Sequence, residues 1–88
     1  MAKRITIKQY ERIAEDHNKH NEGDNYTWED IMYDEVLCGN NIKRDLDRMS
    51  KRETLEVIET AADHLIMGYD KTWNTIYKTA LTSLEVRL

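Results

Sequence analysis

A chain of 88 residues makes one domain, and at this length only about 60% of the surface exposed by the unfolded form is buried, so the core is small. A single cysteine excludes a disulfide scaffold and points to a reducing compartment. No apolar run suits a signal peptide or a membrane span, so a soluble, cytoplasmic protein without membrane contact is expected.

The net charge of −4 conceals two opposed blocks. Glu22, Asp24, Glu29, Asp30, Asp34 and Glu35 share the stretch 20–42 with no Lys or Arg. Lys43, Arg44, Arg48, Lys51 and Arg52 then follow against Asp45 and Asp47 alone. This polarity favours charged partners or head-to-tail self-contact. Proline is absent and glycine stands only at 23, 39 and 68, so glycine punctuates the chain. Phenylalanine is absent too. Five Tyr and two Trp supply the aromatic mass, and rings with a polar handle suit half-wet positions.

In chain order, residues 1–5 read as a tail. Thr6 and Gln9 form a capping box, and Ile7, Tyr10, Ile13, Ala14 and His17 share one face of a helix over 7–19. Residues 21–25 carry turn chemistry. Thr27 caps a helix over 28–38 that turns Trp28, Ile31, Met32, Val36 and Cys38 inward, and Gly39 suits a left-handed C-terminal cap. Asn41 caps a short third helix through Ile42, Leu46 and Met49.

Ser50 and Glu53 make a second capping box, opening a helix over 51–67. Leu55, Ile58, Ala62, Leu65 and Ile66 form one apolar flank of it, and Val57 and Ala61 widen the arc enough for two neighbours. That helix is expected to be central. After residues 68–70, Trp73, Ile76, Tyr77, Ala80, Leu81 and Leu84 form the core face of a last helix over 71–86. The fold expected is an all-α, single-domain bundle of four to five helices spanning 1–88. It ends in an antiparallel helical hairpin.

Chemistry is sparse. The segment 18–29 places Gly23 and Glu29 at the calcium-loop positions, but Asn18, His20 and Asn25 stand where an Asp, an oxygen ligand and a β-branched residue belong. His17, His20, His64 and Cys38 lack metal-ligand spacing, and His17 and His64 read as satisfied histidines on apolar faces. Ser50 is occupied by its cap, while Ser83 and Cys38 have no base beside them in sequence. No metal, cofactor, small-molecule substrate or catalytic residue is expected, and the protein is read as not an enzyme.

Binding remains. Tyr33 and Leu37 are expected to stand outward among Glu29, Asp30 and Asp34, with Tyr26 just before the cap; such anchors ringed by carboxylates suit a larger protein with a basic patch. Glu35 falls on the apolar face of its helix and is expected to find Arg44 or Arg48, or to lie at the bundle's edge. The function expected is that of a small acidic module occluding a basic surface. By class it stands with phage-type inhibitors or regulators of host machinery.

The first alternative is a nucleic-acid-binding regulator using Lys43, Arg44, Arg48, Lys51 and Arg52. Asp45, Asp47 and the overall acidity weigh against it, and a helix-turn-helix centred on Gly39 fails because Asp34, Asp45 and Arg48 fall at its apolar positions. The second alternative is a structural homo-oligomer, a homodimer above all. It would assemble through the uncharged stripe Thr72, Thr75, Thr79 and Thr82 of the last helix.

Overall fold

A computed structural model describes residues 6–87. The expected tail at 1–5 lies outside the described residues. Within them the chain forms five helices and no strand, in the order α1 Ile7–His20, α2 Trp28–Leu37, α3 Lys43–Arg48, α4 Lys51–Met67 and α5 Lys71–Arg87.

The helix boundaries follow from local chemistry. At α1, the Gln9 N–H donates to Thr6 Oγ1 and the Thr6 N–H returns to Gln9 Oε1, satisfying orphan donors on both sides. At α2, the Thr27 N–H donates to Asp30 Oδ2 at 2.9 Å. Its far end is a Schellman turn: the Asn40 N–H reaches Glu35 O and the Gly39 N–H reaches Val36 O. Gly39 takes φ +87°, a conformation that disfavours a Cβ.

Asn41 Oδ1 accepts the Lys43 N–H and starts α3. At α4, Ser50 Oγ accepts the Glu53 N–H at 3.1 Å, but the Glu53 carboxylate does not complete the box on its own helix. Its Oε2 instead takes the Ile7 N–H at 2.8 Å, so one carboxylate fastens the starts of α1 and α4. Asp70 Oδ1 accepts the Thr72 and Trp73 N–H groups and opens α5.

α4 and α5 pack as the expected hairpin, closed near its turn by the His64 ring stacked on Trp73 at 4.1 Å and 5°. The expectation that the 51–67 helix is central is corrected. α5 holds that place, touching α2, α3 and α4, with α1 lying on α2. The core joins Ile7 and Tyr10 of α1, Trp28 and Met32 of α2, Leu46 and Met49 from the α3 segment, Val57 and Ala61 of α4, and Trp73, Ile76 and Ala80 of α5. Extents of 42 × 38 × 22 Å make the molecule about two helix diameters thick.

Three burial expectations are also corrected. Leu55 and Ile66 of the supposed core flank face outward, because α4 turns Thr54, Val57, Ile58 and Ala61 inward instead. Ile13 is 54% exposed, since α1 packs only through the narrow row Ile7, Tyr10 and Ala14. Cys38 is exposed, because α2 has already ended and the chain is turning through Gly39.

Candidate protein-docking face

Thr27 fixes where α2 begins, and burial of Trp28 and Met32 one turn apart fixes how it is rotated. That rotation leaves Asp30, Asp34 and Leu37 exposed and Glu29 partly so. Leu37 is the outward apolar anchor at 64% exposure. Asp30 is partly committed to its cap. Asp34 alone among these acids has no side-chain partner among the described residues.

The aromatic anchors are held more tightly than the sequence suggested. Tyr33 is not an outward ring: it is half-buried against Trp73, centroids 5.8 Å apart, and its hydroxyl donates to Asp70 Oδ2 at 3.0 Å. Its place on the flank beside Met32 brings it to the N-terminus of α5, where the Asp70 acceptor waits. Tyr26 is half-buried as well, its ring 4.1 Å from that of His17 and its backbone clasped in both directions by the Asn18 amide. His17 in turn meets Asp24 at 2.9 Å. Tyr26, Trp28 and Glu29 line an open hollow with Glu11, Ala14 and Glu15.

The partner expected for Glu35 is corrected. Neither Arg44 nor Arg48 reaches it; the Asn40 amide donates to it at 2.8 Å, and it sits at the bundle's edge beside Tyr10 and Asp45. Tyr10 Oη donates to Asp45 Oδ2 at 2.6 Å. Burial, then the Asp45 hydrogen bond and charge, then the charge of Glu35, push the Tyr10 phenol far above its ordinary range.

In the basic segment, Arg44, Arg48, Lys51 and Arg52 are exposed, and Lys43 pairs with Asp47 at 2.7 Å. The two acids that interrupt the run each accept from a hydroxyl of the bundle: half-buried Asp45 from Tyr10, and Asp47, itself exposed, through Oδ1 from the buried Ser83 at 2.6 Å. Ser83 thus has a carboxylate beside it; the serine is buried at 1% exposure while Asp47 is exposed, and the contact ties α3 to α5.

On α5, Thr75 and Thr79 return their hydroxyls to Lys71 O and Thr75 O, and Thr79 and Thr82 line a hollow with Lys43 and Lys78. Thr72 and Thr79 are half-buried, Thr75 and Thr82 exposed.

The sequence reading missed a larger exposed apolar group at the end of α4. Ile66, Met67 and Tyr69 are 82%, 89% and 74% exposed. Glu29 of α2 adjoins this corner, lining a hollow with Thr60, Asp63, His64 and Met67. The signal was present as large apolar residues crowding Gly68, the glycine at the hairpin turn.

No group of three potential metal ligands occurs among the described residues, and no helix among them is long and apolar enough to cross a membrane. No protein-family model, curated protein or solved structure matches the chain.

Proposed function

We propose that the protein is a small acidic binding module that occludes a basic surface on a larger protein, acting stoichiometrically as an inhibitor or regulator in a reducing, cytoplasmic setting. The observation that carries this reading is the outward rim of Glu29, Asp30, Asp34 and Leu37. Among the described residues no ion pair joins these carboxylates to a cation of the same chain. Such a rim steers a cationic partner at long range, while Leu37 supplies apolar contact. Tyr26 and Tyr33 serve as fixed edges of the face rather than mobile anchors.

The test is capture of a partner by the immobilised protein at low salt, repeated with Asp34→Lys. Asp34 is the right position because it takes no part in capping α2. Capture of a basic protein that weakens with added salt and is lost in Asp34→Lys supports the reading; equal capture by both forms overturns it.

A second reading draws support from the contacts that Asp45 and Asp47 make. With Asp45 engaged by Tyr10 and Asp47 by Ser83 and Lys43, the side chains of Arg44, Arg48, Lys51 and Arg52 are better placed to meet a phosphate backbone than their sequence neighbours imply. Salt-sensitive retardation of DNA or RNA, abolished by Arg44→Glu with Arg48→Glu, favours this nucleic-acid alternative. The Thr stripe gains no comparable support, since its C-terminal half opens onto Lys43 and Lys78.

A further inference from the structure

α4 carries apolar residues on two flanks, and the bundle uses one flank. Thr54, Val57, Ile58 and Ala61 are buried in the monomer. On the other side of the helix, Arg52, Leu55, Glu59, Ala62 and Ile66 follow one another at alternating spacings of three and four, with Leu55, Ala62 and Ile66 as the apolar members. This is the spacing of a coiled-coil seam. Leu55 is 45% exposed and Ile66 82%, and Met67 and Tyr69 extend the apolar surface around the turn. The flank therefore lacks the neighbour that its pattern calls for.

Charge decides what that neighbour is. Glu56, Glu59 and Asp63 are exposed along the seam, and among the described residues none of them forms an ion pair. Glu29 of α2 adds a fourth carboxylate beside Asp63 and Met67. A second copy of α4, laid antiparallel so that Leu55 met Ile66, would bring the two Glu59 carboxylates together near the twofold axis and set Glu56 against Asp63. Like charges so placed repel, and the repulsion is strongest as the contact sheds water. Arg52, the cation of the seam, stands at its N-terminal end, so an anionic or neutral helix would leave Glu59 and Asp63 uncompensated.

We propose that the outward seam of α4 receives a basic amphipathic helix of a partner protein. Apolar side chains of that helix lie on Leu55, Ala62 and Ile66, and its Lys or Arg side chains meet Glu56, Glu59 and Asp63. This deepens the protein-binding reading and rests on it, naming a second surface and the chemistry that it takes.

The experiment uses the full chain and a fluorescein-labelled, amidated peptide of Leu and Lys, roughly 14 residues or four helical turns long, with Leu at seam spacing. A scrambled peptide of the same composition and a Leu/Glu counterpart are the controls. Fluorescence anisotropy should show saturable one-to-one binding of the Leu/Lys helix and binding about ten-fold weaker or less for both controls. Leu55→Asn with Ile66→Asn, and separately Glu59→Lys with Asp63→Lys, should each weaken binding about ten-fold, while Asp34→Lys changes it less than about two-fold. All four α4 positions are exposed, and a helical circular-dichroism spectrum shows that the variants remain folded.

Equal binding of the scrambled peptide, or indifference to both α4 variants, overturns the proposal. Loss of the peptide in Asp34→Lys alone moves the site to α2 and overturns the α4 assignment while leaving the binding reading intact. Light scattering supplies the remaining arm: a dimer mass without peptide, returned to the monomer by Ile66→Asn, overturns the proposal in favour of a second copy. The binding reading itself fails separately, through the capture experiment with Asp34→Lys.

Discussion

The Tyr33 hydroxyl donates to Asp70 Oδ2 at 3.0 Å, while the other oxygen of the same carboxylate accepts the Thr72 and Trp73 N–H groups. One side chain therefore caps α5 and anchors α2 to the hairpin turn. The contact explains why the rotation of α2 is fixed and why its acids, rather than its tyrosine, face outward.

A pH dependence follows. Partial desolvation alone would raise the Asp70 carboxyl, but the hydrogen bonds from Tyr33, Trp73 and Thr72, with attraction from His64, hold it below the usual carboxylate range. A group depressed in the fold contributes stability above its unfolded value of about 4, and that contribution disappears as pH falls through the folded value. Asp70→Asn keeps a capping oxygen but removes the charge. The urea midpoints of wild type and Asp70→Asn should differ at neutral pH and converge as pH falls below about 4. Curves that stay parallel throughout would contradict this. In Tyr33→Phe, the Asp70 carboxyl followed by NMR should titrate higher than in the wild type.

Tyr10 supplies a second test of buried polar pairing. Its ring belongs to the core and its hydroxyl meets Asp45 at 2.6 Å. Tyr10→Phe keeps the ring and leaves the half-buried Asp45 without that donor, which should cost about 1.5 kcal/mol in denaturant unfolding. The phenol, pushed upward by burial and by Asp45 and Glu35, should remain protonated in the folded chain when exposed tyrosines have ionised. Ultraviolet titration should show its ionisation only together with unfolding.

At Gly39 the backbone φ of +87° is the whole constraint, since no heavy atom lies within 4 Å of where a Cβ would stand. Gly39→Ala should therefore destabilise by about 1 kcal/mol through backbone strain, without steric clash. Gly68→Ala offers the contrast. Gly68 has φ 169°, extended backbone that any residue adopts, and open space around it. Its substitution should leave the thermal midpoint almost unchanged, although both glycines follow helices.

These contrasts show what was legible in the sequence. Helix starts and stops were, because Thr6 with Gln9, Ser50 with Glu53, and Gly39 act on backbone groups within a few residues. The inward face of α4 was not. Thr54 reads as polar, yet it is fully buried because its hydroxyl donates to Ser50 O at 2.9 Å, which removes the cost of burial. Ser83 behaves alike through Asp47. Leaving Thr54 out of the core rotated the expected inward face of α4 toward Leu55 and Ile66. The contacts of Tyr33 with Asp70 and of Glu53 with Ile7 bridge 37 and 46 residues, a separation at which no local pattern carries information.

The rotation of α4 and the depth of α5 can be tested with one residue type. Ile76 is fully buried on the central helix, with the core around it, whereas Ile66 is 82% exposed. Ile76→Ala removes buried methylene and methyl groups and leaves a cavity in a core of only two helix layers, so it should cost about 3 kcal/mol. Ile66→Ala removes the same atoms from water-exposed surface and should change stability by no more than about 0.5 kcal/mol. Equal losses in urea unfolding would mean that Ile66 packs inside, returning α4 to the orientation that its apolar count suggested and taking away the outward seam. A small loss at Ile66 combined with weakened binding of the Leu/Lys helix would separate stability from recognition at that residue.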